Sequence, residues 1–126
     1  MKNNQVKQWK ERILKIKKEL SELGDMRPGS ISEQFNVCGN PNCHCKDKDS
    51  PIKHGPYYQL SYSFKGRSTT EFIKPEKLAE TTAQISEFKN FKSLSAELTE
   101  LSIMVAKEIK KMEAEKLKEL KNTKRT

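Results

Sequence analysis

Every thiol and every imidazole of this chain falls in one short segment, Cys38–Tyr58, CGNPNCHCKDKDSPIKHGPYY. The order is Cys38-x4-Cys43-x-Cys45-x8-His54. Three thiolates and one imidazole complete a tetrahedral zinc shell, and closed shells of this kind are structural. Gly39, Asn40 and Pro41 are turn formers that fold the chain back so that Cys38 can meet Cys43. Cys43 and Cys45 are two residues apart, so an extended segment turns both to one side and His44 to the other. His44 is therefore the poorer ligand, and the polar stretch KDKDSPIK returns the chain to His54. Inert or redox thiols and a Cys–His nucleophile are the competing readings. Three cysteines beside Gly, Asn, Pro and Lys do not look like a core strand. Catalysis needs one activated thiolate with an orienting group, and the sequence offers neither.

The surroundings supply an energetic reason for a metal. Hydrophobic residues make up 33% of the chain and charged residues another 33%, a balance that suits solvated helices better than a large core. The middle of the chain has few aliphatic side chains with which to hold a small β unit. Zinc can contribute folding free energy on the order of 10 kcal/mol in small modules.

Helical periodicity flanks the ligand segment. Val6, Trp9, Ile13, Ile16, Leu20 and Leu23 follow the 3–4 spacing of a coiled-coil seam, which predicts a helix over roughly residues 4–23. Gly24 is placed to end it and Pro28 to prevent its resumption. A second long helix is expected from Pro75-Glu76 towards Leu120, with Leu94, Leu98, Leu101, Val105 and Met112 on its seam. Ile85, Phe88 and Phe91 follow at intervals of three, so the seam drifts there, which calls for a bend or a change of packing partner near Phe91. A frayed basic tail ends the chain. Between the helices the period becomes two: Tyr58, Leu60, Tyr62 and Phe64 alternate with polar residues, Lys65-Gly66 follows, and RSTTEFIK can return as a second strand. A two-residue loop sets Leu60 opposite Glu71. A three-residue loop with Gly66 left-handed sets Leu60 opposite Phe72, which buries better and is the preferred register.

The two segments MRPGSISEQFNVCGNPNCHCKD and HGPYYQLSYSFKGRSTTEFI resemble a family of small bacterial and archaeal proteins that share a C-G-x-P-x-C-x-C segment followed by H-G-P-Y-Y and two strands. Cys38, Gly39, Pro41, Cys43, Cys45 and His54–Tyr58 carry the resemblance, and many members have Arg where this chain has His44. The resemblance implies a coherent metal module and no particular activity.

Lys and Arg outnumber Asp and Glu by 25 to 17, a net +8. Such a balance permits nucleic acid or an anionic membrane as partner without selecting either. Strand alternation puts Tyr58, Leu60, Tyr62 and Phe64 on the buried face and leaves Tyr57 as the exposed ring. With Lys53, Lys65, Arg67 and Lys74 around it, that ring suits stacking beside phosphate contacts. The interrupted apolar steps of the N-terminus lack a signal peptide or a membrane span. A membrane-surface reading of the first helix is weakened by Glu11, Glu19 and Glu22 in its basic face.

The sequence thus predicts an α+β protein, with two long amphipathic helices bracketing a zinc-stapled β-hairpin. The expected divisions are an N-terminal helix (1–25), a zinc module (26–75), a C-terminal helix (76–121) and a basic tail (122–126). One structural zinc is expected on Cys38, Cys43, Cys45 and His54. The expected function is a non-enzymatic, cytoplasmic nucleic-acid-binding accessory, contacting its partner through Lys53, Tyr57, Lys65, Arg67 and Lys74. The alternative is a protein–protein adaptor that oligomerises through its coiled coil, as a homodimer or with a protein partner, and docks a partner through the zinc module.

Overall fold

The alternation of Tyr58, Leu60 and Tyr62 builds the strand on which the β unit is organised. In the computed structural model, which describes residues 2–124, this strand is the centre of a three-stranded antiparallel sheet. The elements in chain order are α1 (Lys2–Ser21), β1 (Ser30–Asn36), β2 (His54–Phe64), β3 (Arg67–Ile73) and α2 (Leu78–Lys124). Short 3-10 turns at His44–Lys46 and Pro75–Lys77 precede β2 and α2. The α+β class holds, but the expected pair of long bracketing helices does not. α1 is short, at 20 residues, and the one long helix is the 47-residue α2. The hairpin is likewise two strands of three. β1 escaped notice because SISEQFN has Glu33 where an inward apolar residue would have announced a strand.

The chain forms two compact units, with α2 contributing to both. The sheet unit, Gly24–Lys89, holds the three strands and the start of α2. Its core is Leu60, Ile73 and Ile85, with Ile31, Tyr58 and Tyr62 packed against them. Two main-chain amides fasten the stretch leading into β1 to α2: that of Arg27 donates to the Gln84 carbonyl at 3.1 Å, and that of Gly24 to the side-chain Oε2 of Glu87 at 2.8 Å. The Arg27 guanidinium also pairs with Glu71 on β3. Gly29 sits at φ +137°, where an added Cβ would lie 2.5 Å from Leu60 Cδ1. Only a glycine lets the backbone pass this close to the core leucine.

The other unit consists of α1 and the part of α2 from Asn90 on. Its seam residues are the ones withdrawn from water: Ile16 is fully buried, Val6 and Val105 are buried, and Leu94, Leu98 and Leu101 are half-buried. Arg12 makes a bidentate pair with Glu97, Nε to Oε2 at 2.7 Å and Nη2 to Oε1 at 2.9 Å. This pairing holds the Glu97 carboxyl below the usual range. The drift of the seam at Ile85, Phe88 and Phe91 coincides with the boundary between the units at Lys89–Asn90, so α2 changes packing partners there. α2 runs on to Lys124, and the end of the expected basic tail lies outside the described residues.

The hairpin register corrects the preferred expectation. Phe64 pairs with Arg67 across a two-residue turn, and Leu60 lies opposite Glu71, not Phe72. Lys65 and Gly66 both have positive φ, 52° and 78°, the signature of a type I′ turn whose twist matches the strands. Apolar burial favoured the other register, but here turn geometry decides. As a consequence Phe72 points to solvent at 72% exposure. Phe64 is corrected too: it shares the parity of Leu60 but lies at the strand end, 68% exposed, with Lys65 Nζ 5.4 Å from its ring centroid.

Candidate metal centre

Local geometry brings the predicted ligands together by a route different from the expected one. The segment at Cys43–Cys45 is not extended: Cys43 is the last extended residue, and His44–Lys46 form a 3-10 turn. The Lys46 amide closes that turn on the Cys43 carbonyl at 3.0 Å. The turn, not a strand parity, buries Cys45 and leaves His44 exposed and outside the cluster. Upstream, the Cys43 amide donates to the Asn40 carbonyl at 3.3 Å, the fold-back that the Gly-Asn-Pro sequence requires.

His54 arrives from the sheet. Between Gln34↔Tyr57 and Asn36↔His54 the register slips, so Gly55 and Pro56 together face the single residue Phe35. Such a bulge re-aims the flanking side chain, here the imidazole. The bulge depends on Gly55, whose φ is +137° and where a Cβ would lie 2.7 Å from the Gln34 carbonyl oxygen.

The Sγ atoms of Cys38, Cys43 and Cys45 and a ring nitrogen of His54 all lie within 4.8 Å of one another. The Cys38 and Cys45 sulfurs are 3.6 Å apart, and Cys43 Sγ is 3.1 Å from His54 Nε2. A tetrahedron with Zn–S near 2.3 Å and Zn–N near 2.0 Å has edges of about 3.8 and 3.5 Å. The observed spacings need only small adjustments to meet it, so the donor set fits a divalent ion of zinc's size and softness. All three cysteines are free. Hydrogen bonding with the Asn40 backbone, and then with His54 and Cys43, holds the Cys38 thiol down to about 6. Cys45 moves the other way: the Cys38 amide, 3.4 Å from its sulfur, favours the thiolate, but burial and the two neighbouring sulfurs outweigh this and raise it. The cluster thus already stabilises one thiolate, and a cation would be needed to hold all three.

The residues expected to meet nucleic acid do not form one patch. Lys53 and Lys74 lie at the metal end of the hairpin, just before β2 and just after β3. Lys65 and Arg67 lie at the turn end, about 30 Å away along β2. All four are exposed, and none forms an ion pair among the described residues. Tyr57 is 43% exposed and lines an open groove of about 460 Å³ with Asn36, Val37, Cys38, His54 and Phe72. The groove therefore adjoins two metal-ligand candidates. Phe72 is the residue that sequence reasoning missed, because the preferred register turned it inward. The Lys-Gly turn, read as a strict two-residue loop, would have found it. Among the described residues, no helix is long and apolar enough to cross a membrane.

The model of a domain family of unknown function, DUF6788, matches residues 6–83, and the chain belongs to that family. No curated protein and no solved structure matches it significantly.

Proposed function

We propose that this DUF6788 chain is a non-enzymatic accessory protein that binds nucleic acid through its sheet unit, stapled by one structural zinc on Cys38, Cys43, Cys45 and His54. Four protein ligands fill a tetrahedral shell and leave no open position for a substrate, which favours a structural over a catalytic role. Three thiolates on a divalent ion leave the site itself net negative, so attraction to phosphate comes from side chains around it. The observation that carries the reading is that Lys53, Lys65, Arg67 and Lys74 are exposed without carboxylate partners among the described residues, whereas Arg27 and Lys77 of the same unit are paired. Of the four, Lys53 and Lys74 lie at the end of the sheet that carries the exposed Tyr57 ring, and cations near a ring suit a polyanion with bases to stack.

Titration of zinc-loaded protein with labelled DNA and RNA over a range of salt tests the proposal. Binding should weaken steeply with salt, and loss of each lysine or arginine that contacts phosphate should reduce the magnitude of the slope of log K against log salt by about 0.7–0.9. Absence of binding to single- and double-stranded nucleic acid at low salt would favour the adaptor reading. That reading draws on Leu14, Ile103, Leu117 and Leu120, large apolar side chains of the helical unit that are at least half exposed.

A further inference from the structure

We infer that the solvent face of the sheet is a platform for single-stranded nucleic acid, on which Tyr57 and Phe72 stack successive unpaired bases in the groove beside Cys38 and His54. This rests on the nucleic-acid reading above and adds to it the class of ligand, the face used and the role of Phe72.

The register defines the face. Gln34 lies opposite Tyr57, Gln59 opposite Phe72 and Ser61 opposite Thr70, and cross-strand partners project from the same side of a sheet. This is the side away from the Leu60 core. Apart from the two rings and the imidazole of His54 at the metal end, its strand positions carry only hydroxyls and amides, with no carboxylate among them. A phosphate chain lying across it meets no carboxylate, and base edges meet groups that both donate and accept. An apolar protein ligand would instead have to cover this row of hydroxyls and amides around the two rings.

The rings are diagonal neighbours: Tyr57 is two residues from Gln59, which faces Phe72. Diagonal positions on adjacent strands are about 7–8 Å apart, roughly twice the 3.4 Å rise between stacked bases. Successive bases can cover both rings only if they have left their own stack, which a duplex does not allow without opening. Open sheets with neighbouring aromatics read single strands in this way. Charge is arranged to match. Lys53 adjoins His54 at one edge of the groove, and Lys74 lies two residues beyond Phe72 at the same end of the sheet. Both are exposed and make no ion pair among the described residues, so phosphates flanking the stacked bases have cations within reach.

The test uses full-length, zinc-loaded protein and fluorescence anisotropy with labelled oligothymidine, oligouridine and a hairpin duplex, each compared at matched salt over a series of salt concentrations. Single strands should bind at least about tenfold more tightly than the duplex. Phe72→Ala and Tyr57→Ala should each weaken single-strand binding by about 5- to 150-fold with an unchanged salt slope, and Phe72→Tyr should retain it. Phe64→Ala removes an exposed ring of the opposite parity and should change nothing. If wild-type protein binds but Phe72→Ala binds equally well, or the duplex binds as tightly as the single strands, the platform is wrong and the broader nucleic-acid reading survives. If wild-type protein binds none of the three probes, that reading falls and the platform with it.

Discussion

Replacing Leu60 with Ala tests whether the sheet unit has the small, specific core described for it. Leu60 is fully buried on the central strand, against Ile73 of β3 and Ile85 of α2. The change removes three carbons, and at about 0.8 kcal/mol for each the lost transfer free energy is roughly 2.4 kcal/mol. A cavity adds to this where the surroundings cannot collapse. Here one wall is the backbone at Gly29, which has no side chain to move inward. A total loss of about 3–5 kcal/mol is expected. Phe72→Ala, on the opposite face and 72% exposed, should cost less than about 0.5 kcal/mol. Urea unfolding of zinc-loaded protein measures both, and the chain carries a separate probe in each unit. All three tyrosines lie in β2, and the single tryptophan, Trp9, lies in α1. The tyrosine signal should report the Leu60→Ala loss. A loss below about 1 kcal/mol, or one no larger than that of Phe72→Ala, would refute both the register and the core built on it.

Gly29→Ala should also destabilise the sheet unit, since the new Cβ meets Leu60 Cδ1; combined with Leu60→Ala its effect should shrink, and additive losses in the same urea experiment would contradict the contact. Cys43→Ser should abolish tight zinc binding and strip hydrogen-exchange protection from β2 while leaving far-UV helicity largely intact; retained zinc, measured by elemental analysis, would remove Cys43 from the ligand set. Zinc affinity should rise with pH, because protons compete for the ligands. The metal-free Cys38 thiol is already lowered to about 6, so between pH 7 and 9 most of the protons released on binding should come from the other ligands, Cys45 with its raised value among them. Calorimetry in buffers of different ionisation enthalpy counts those protons, and an affinity independent of pH would exclude thiolate ligation.

Much of the architecture could be read because it depends on local rules. Helical spacing marks where α1 and α2 lie, though not that α1 is short, and the Cys38, Cys43, Cys45 and His54 cluster is visible in the sequence as a candidate metal site. The less legible parts depend on competition between rules. β1 has only Ile31 as a clear inward apolar residue and is a strand because β2 pairs with it. The hairpin register set apolar burial against turn geometry, and the type I′ turn prevailed, which moved Phe72 from the core to the surface. The ligand loop is a 3-10 turn where an extended segment was expected, yet the same residues converge, because a tetrahedral donor set can be reached by more than one backbone path.

The central claim is that Cys38, Cys43, Cys45 and His54 hold one zinc ion, and X-ray absorption at the zinc edge, with metal quantified per chain, tests it most directly. Protein purified without chelator should contain one zinc per chain, with three sulfurs near 2.3 Å and one nitrogen near 2.0 Å. Metal-free protein whose three thiols all titrate freely, or a zinc shell made of oxygen ligands, would contradict the account.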